Sequence, residues 1–152
     1  VEVLRIGRAK GLDAGPNLHI ARVNSLRRLI EECQTLIEHA LYSESVAKLL
    51  QISVAEVERN AQRSPPYLHG FELEPGVWRF PAWQFTDAGE IPHLATILPI
   101  LAHREPMFLD RFMRLPHCDL EIDHKPVSPR DWLIAKHDPD QIFQLVRLLE
   151  SD

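Results

Sequence analysis

The sequence predicts a mainly α fold with a small β-hairpin. Two short segments, 43–50 and 53–62, show helical spacing of their apolar residues and are separated by a brief break. Two short strands, 68–73 and 77–80, follow, and the proline and glycine at 75–76 supply turn geometry between them. The remainder has helical spacing interrupted by prolines. A helix-turn-helix followed directly by a hairpin is the order of elements that a winged DNA-binding module needs.

Length and composition set the limits of this prediction. A chain of 152 residues with 45% hydrophobic content can bury one sizeable core or two small ones. Its longest apolar run, 91–102, is interrupted by Pro92 and Pro99 and is too short to span a bilayer. Cys33 and Cys118 lie far apart and have no partnering motif. We therefore expect free thiols, a reducing cytoplasmic location and no membrane association.

The charge balance does not favour a simple nucleic-acid binder. The formal net charge is −5, and residues 43–90 hold four Lys or Arg against seven Asp or Glu. Non-specific DNA affinity comes mainly from neutralisation of phosphates by cations. We therefore expect any DNA binding to depend on a few well-placed arginines and to be weak for a single copy.

The N-terminal third is predicted to be an arm and a long helix. Residues 1–16 show no period. From Asn17, which can serve as an N-cap, to Leu41, apolar residues recur every three or four positions. This apolar stripe is longer than a small winged module can cover. We expect it to build a homodimer, at least in part; packing against an intrachain partner is the alternative.

The two short helices carry their own start signals. Ser43 can cap the first, and Ser53 with Glu56 has the spacing of a capping box at the start of the second. Gln51 stands in the break where such turns usually have glycine. A left-handed conformation at a non-glycine residue there costs roughly 1 kcal/mol.

The C-terminal region is predicted to be helical. Helices are expected at 92–102 and 106–115, with a loop at 120–126. Ser128-Pro129 and Asp138-Pro139 are N-cap and N1-proline signatures that open two more helices. The predicted domains are therefore an arm with a long helix (1–42), a winged helix-turn-helix (43–88) and a C-terminal helical domain (89–152).

Two motifs carry a resemblance to known proteins. The pattern 46–57, with Val46, Leu49, Ile52 and Val57, is followed by the string Arg-Phe-Pro-Ala-Trp-Gln-Phe at 79–85. Together they resemble the winged helix-turn-helix of small bacterial regulators. The C-terminal region is similar to the toxin-binding region of Xre/MbcA/ParS-type antitoxins. Its matching residues are Ile91, Pro92, His93, Leu94, Phe112, Pro116, Leu120, Pro126, Trp132 and Leu133.

The resemblance implies an antitoxin-like transcriptional regulator. Such a protein binds a double-stranded DNA operator, represses its own operon and masks a partner toxin, which in this family is typically a RES-domain enzyme acting on NAD. It has no catalytic role of its own. The alternative that we carry from the acidic charge balance is a protein-interaction adaptor on a winged-helix scaffold that does not bind DNA.

Candidate contact residues follow from these interpretations. We expect DNA contacts from the second short helix and from the hairpin, whose polar side chains can reach bases or phosphates. These residues are Ser53, Arg59, Asn60, Gln62, Arg63 and Arg79. Toxin contacts implied by the resemblance are Trp132, Arg147, Leu148, Glu150, Ser151 and Asp152. The alternatives are an ordinary solvated helix face with a Glu56–Arg59 ion pair and a solvated C-terminal tail.

One further cluster invites a metal interpretation. It consists of His117, Cys118, Asp119, Asp123 and His124. Zinc sites usually have four ligands in closely spaced pairs, and the sequence offers no second pair here. We therefore predict no metal, no cofactor and no catalytic residue.

Overall fold

The computed structural model describes residues 14–150 except residue 102, and it describes the side chains from residue 17 onwards. The fold is mainly α-helical with small antiparallel sheets, which confirms the predicted class at that level. Within the described range, every helix is too short or too polar to cross a membrane. Most of the arm predicted at 1–16 lies outside the described residues.

The helices, in chain order, are α1 (Ala14–His39), α2 (Ser43–Leu50), α3 (Val54–Gln62), α4 (Leu94–Leu101), α5 (Pro106–Arg114), α6 (Pro129–Ile134) and α7 (Asp140–Glu150), with a short 3-10 helix at Ala82–Gln84. The strands are β1 (Leu41–Tyr42), β2 (Phe71–Glu74), β3 (Val77–Phe80), β4 (Phe85–Thr86), β5 (Gly89–Glu90), β6 (His117–Ile122) and β7 (Lys125–Val127).

The chain divides into two compact units, one ending at Thr35 and one beginning at Leu36. The boundary expected between 88 and 89 therefore falls inside the second unit. Residues on both sides of it share one hydrophobic core, since Val46 and Val57 belong to the same cluster as Leu133 and Ile142, all fully buried. Neither the helix pair nor the C-terminal helices are long enough to enclose a core alone, so they bury one in common.

The turn between α2 and α3 has a left-handed residue at Gln51, the position where such turns usually have glycine. Gln51 has φ 59° and ψ 43°, and its N–H donates to the carbonyl of Ala47, so it closes α2 as glycine commonly does. Ser53 caps α3 by accepting the Glu56 N–H at 3.1 Å. The Ser43 prediction is wrong: α2 has Tyr42 at its N-cap, and the Ser43 hydroxyl donates to the Glu58 carboxylate at 2.8 Å.

The predicted hairpin belongs to a three-stranded sheet with the order β1-β3-β2. β3 was predicted correctly, whereas β2 begins at Phe71 because Leu68 and His69 are buried outside the sheet. β1 was not predicted, since two residues are too few to show a period. Leu41 pairs with Phe80, so β1, which follows the end of α1, lies beside β3, the central strand of the sheet.

A second hairpin, β6–β7, replaces the predicted loop at 120–126. Asp123 and His124 form its two-residue turn, with φ 54° and 66°. Positive φ at both central positions is the geometry of a type I′ turn, which usually contains Asn-Gly or Asp-Gly. The sequence has Asp-His there, so the usual hairpin signal is missing, and the expectation that this region was entirely helical is wrong.

The C-terminal helix starts follow the predicted capping chemistry. Ser128 caps α6 by accepting the Asp131 N–H at 3.0 Å, with Pro129 at the first helical position. Asp138 accepts the Asp140 N–H at 2.9 Å just before α7. These local hydrogen bonds satisfy backbone donors that the helix itself leaves free.

Candidate functional site

The exposed face of α3 carries the polar side chains that were predicted to contact DNA. Arg59, Gln62 and Arg63 are all exposed. The Arg59 guanidinium lies 3.4 Å from both carboxylate oxygens of Glu56, and the Arg59 side chain remains 66% exposed. Ion pairs this exposed are worth about 0–1 kcal/mol, so a DNA phosphate or base edge can displace Glu56 at little cost.

Arg63 is held in place just beyond the end of α3. Its guanidinium carbon lies 3.5 Å from the centre of the Tyr67 ring, in a cation–π arrangement. The Asn60 carbonyl accepts the N–H groups of Tyr67 and Leu68 at 2.9 and 3.4 Å, which fixes this segment against α3. Asn60 itself is half-buried. Asn60 therefore acts mainly by holding the segment at Tyr67 and Leu68 in place, and its side chain adds little to the exposed polar face of α3.

Arg79 does not occupy the position expected for a hairpin residue that contacts DNA. It is only 8% exposed, and its guanidinium donates to the carbonyls of Ile37 and Ala40. It also lies over the ring of Tyr42, 4.2 Å from the ring centre. The last carbonyls of a helix have no intrahelical partner and favour a cation, so the C-terminal end of α1 draws Arg79 inwards. This arrangement contradicts the predicted DNA contact.

The hairpin surface that remains exposed is acidic. Glu72 and Glu74 are exposed on β2, and the Glu72 carboxylate accepts the Gly76 N–H of the turn at 2.7 Å. With Arg79 turned inwards, the β2–β3 hairpin presents carboxylates but no arginine or lysine to solvent. Repulsion from DNA phosphates is the physical consequence.

The 79–85 string contains a buried polar clamp that the sequence analysis missed. The Gln84 amide is fully buried, accepts the His69 N–H at 2.7 Å and donates to the His69 carbonyl at 2.7 Å. It also donates to the Pro81 carbonyl at 3.1 Å. The one amide thus satisfies three backbone groups and fixes the segment before β2 against the segment after β3. The sequence signal for this clamp was a single polar residue, Gln84, between Trp83 and Phe85.

His69, the partner of this clamp, is a buried imidazole. It is 7% exposed, and its Nε2 atom has no hydrogen-bond partner among the described residues. Burial without a compensating partner disfavours the charged form and lowers the pKa of His69 to about 4. The side chain is therefore neutral at physiological pH and contributes no cation to the surface.

Arg130 of α6 fastens the same string to the C-terminal region. Its guanidinium donates to the carbonyls of Trp83 at 2.9 Å and Phe85 at 2.7 Å. It also borders an open groove of about 750 Å³ between α2 and β4. Lys48 and Asp87 line this groove together with Arg130, so its charge is mixed. Sequence reasoning could not pair Arg130 with carbonyls 45 and 47 positions away.

The residues predicted to bind a toxin fall into two groups. Trp132 is half-buried; its ring N–H donates to the Asp138 carbonyl at 2.8 Å and it stacks on His137. It therefore braces the connection between α6 and α7. At the end of α7, Arg147 and Glu150 are exposed, and Leu148 and Leu149 are 59% and 41% exposed. Glu150 lies 3.1 Å from the ring of His103. Ser151 and Asp152 lie outside the described residues.

The fold does not turn the cluster considered for metal binding into a well-formed metal site. His117, Cys118 and Asp119 each place one ligand atom within 4.8 Å of the others. However, His117 Nδ1 already accepts the Asp119 N–H at 3.1 Å, which uses its lone pair. Three consecutive, mostly exposed residues on one strand offer a poor tetrahedral cage. The described part of the chain adds no further ligand from another element to this group.

Comparisons of the chain with protein-family models, with curated proteins and with solved structures found no match.

Proposed function

We propose that this chain is an antitoxin-like DNA-binding regulator that reads its operator mainly through α3 and contacts a partner toxin with the C-terminal end of α7. The observation that carries the DNA part is the exposed face of α3, where Arg59 and Gln62 project from a helix capped by Ser53 and Arg63 follows at its C-cap. The toxin part rests on the resemblance of the C-terminal region and on the exposed end of α7.

The connectivity of the elements supports a winged module. A helix, a short strand, a helix pair and a hairpin follow one another, and β1 pairs with β3 at the edge of the sheet. In such modules the second helix of the pair enters the major groove. α3 holds this place in the chain, and its left-handed Gln51 turn gives the pair a compact connection.

The side chains on α3 suit recognition in the major groove. Arginine donates two hydrogen bonds to guanine, and glutamine pairs in the same way with adenine. Arg59 on the helix and Arg63 at its C-cap are the cations available for this, and Gln62 is the last residue of the helix. The acidic hairpin cannot add phosphate contacts, so we expect modest affinity for a single copy. Two linked copies raise the affinity through effective concentration.

Removing the charges of Arg59 and Arg63 is expected to weaken binding to the protein's own promoter. For each Arg→Gln change we expect a loss of about 1–3 kcal/mol if the side chain reads a base, or a salt slope reduced by about one if it contacts a phosphate. Gel-shift titration at several salt concentrations measures both. The matched control is Lys125→Gln with Lys136→Gln, which removes the same charge from elsewhere. Equal affinities for the two double variants would contradict a DNA role for α3.

Truncation after Arg147 is expected to abolish toxin neutralisation while leaving DNA binding intact. The change removes the exposed side chains of Leu148, Leu149 and Glu150 together with the last two residues, and with them the apolar and charged groups proposed to enter a partner cleft. Growth during induction of the toxin encoded by the neighbouring gene measures protection. Circular dichroism and the promoter gel shift serve as controls. If truncated and full-length chains protect equally, the end of α7 is an ordinary solvated tail.

A second candidate function is an adaptor on a winged-helix scaffold that does not bind DNA. The observation that favours it is the acidic β2–β3 hairpin, with Glu72 and Glu74 outside and Arg79 inside. The two experiments above separate the candidates. An adaptor shows no promoter shift even for the full chain, yet still loses its protein partner when residues 148–152 are removed.

A further inference from the structure

The groove between α2 and β4 has the size of a site for a small molecule. Its volume of about 750 Å³ falls within the range of roughly 300–1,000 Å³ that ligand sites occupy. Four apolar side chains line it: Leu41, Leu49, Ala82 and Phe85. Phe85 belongs to the hydrophobic core, and Leu41 and Leu49 pack against that core. The groove therefore offers a firm apolar surface to the body of a ligand.

The charged groups at this groove favour an anion. They are two cations, Lys48 and Arg130, and one carboxylate, Asp87. Ser45 also lines the groove and precedes Lys48 by one helical turn, so the two side chains lie on the same side of α2. Neither of them has a side-chain partner among the described residues. The hydroxyl and the ammonium group are thus both available to donate to a ligand.

Arg130 is a cation that is held in place without being neutralised. Its guanidinium donates to the carbonyls of Trp83 and Phe85 at 2.9 and 2.7 Å, and a carbonyl carries no net charge. The Asp131 carboxylate lies 3.9 Å from Nη1, which is beyond hydrogen-bonding distance. The Arg130 side chain is only 29% exposed. Partly buried charges are screened less by salt than exposed ones, so Arg130 attracts an anion more strongly than a surface arginine does.

We infer that this groove binds a small organic carboxylate, with an apolar body against Leu49 and Phe85 and the carboxylate directed to Lys48 and Arg130. The lining has an excess of one positive charge, which matches a carboxylate; a phosphate monoester carries nearly two negative charges. The inference does not depend on the proposed function, since the groove includes neither the exposed face of α3 nor the end of α7.

Titration of the full chain with phenylbutyrate, followed by two-dimensional NMR, tests the site. This probe joins a carboxylate to an apolar body. We expect saturable shifts of the backbone amides that line the groove, with a dissociation constant on the order of millimolar or tighter for a ligand of this size. Phenylbutylamine has a similar body and the opposite charge, and we expect it to bind on the order of tenfold more weakly. Acetate lacks the apolar body and is expected to give no saturable shifts.

Two substitutions of exposed residues test the charges, with opposite expected signs. Lys48→Gln removes a cation and is expected to raise the dissociation constant of phenylbutyrate about two- to fivefold, whereas Asp87→Asn removes the carboxylate and is expected to lower it by a similar factor. Lys125→Gln on β7, outside the groove, is the matched control and is expected to bind like wild type. Shifts that do not saturate or that fall outside the groove, equal binding of phenylbutyrate and phenylbutylamine, or equal dissociation constants for Lys48→Gln and Asp87→Asn overturn the proposal.

Discussion

Replacing Gln84 by methionine is expected to lower the free energy of unfolding by about 2–6 kcal/mol. The reason is that the buried amide satisfies the His69 N–H, the His69 carbonyl and the Pro81 carbonyl. Methionine has a similar length and no amide, so it fills the space but leaves these groups without partners. An unsatisfied buried group costs about 1–3 kcal/mol, and the expected range counts the two shorter hydrogen bonds, both to His69 at 2.7 Å.

Urea denaturation followed by circular dichroism measures this change. Gln144→Met on the exposed face of α7 is the matched control, and it is expected to stay within about 0.5 kcal/mol of wild type. The control separates the loss of the clamp from any general effect of glutamine-to-methionine exchange. If both variants are equally stable, the Gln84 hydrogen bonds are not what holds the 79–85 string to the segment before β2.

The stability of the protein is expected to fall on acidification from about pH 6.5 to about pH 4 because of His69. The folded state lowers the pKa of His69 to about 4 by burial, whereas the unfolded chain has the ordinary value of 6.5. Between these values the unfolded state binds more protons, so stability rises with pH in this window and is lost as the pH falls through it. The difference in pKa corresponds to about 3 kcal/mol. Above the window this residue adds no pH dependence.

Substitution of His69 by leucine is expected to remove this part of the pH dependence. Leucine has no titratable group, and the backbone N–H and carbonyl of residue 69 stay available to Gln84. Denaturation of both proteins at several pH values between about 4 and 7.5 gives the difference directly, and the other titratable groups cancel in the comparison. If the two stability curves stay parallel across this range, His69 does not bind its proton differently in the folded and unfolded states.

Features whose sequence signal lies close to them in the chain could be predicted. The Ser53 and Ser128 caps and strand β3 were all predicted, because each depends on residues within a few positions. The prediction failed at β6–β7, where Asp123 and His124 adopt positive φ without a glycine. Tertiary packing there overrides the weak local preference.

In the candidate site, too, local sequence predicts some features and tertiary contacts decide others. The exposed face of α3 follows from helical periodicity, since Val57 on the core side fixes where Arg59 and Gln62 point. The position of Arg79 could not follow from periodicity, because the groups that attract it belong to α1. A solvated hairpin arginine and a buried helix cap have the same local sequence. Only the meeting of β3 with the end of α1 distinguishes them.

The sequence by itself determined that the chain is mainly helical, where α3 begins, and that residues 43–90 are poor in cations. These properties depend on spacing, capping residues and composition, which are local or additive. The tertiary structure alone decided that Arg79 caps α1, that Gln84 clamps His69, and that one core joins the helix pair to the C-terminal helices. Each of these depends on a backbone carbonyl, N–H or apolar side chain brought close from a distant part of the chain, where an unpaired polar group in the interior would be too costly to keep.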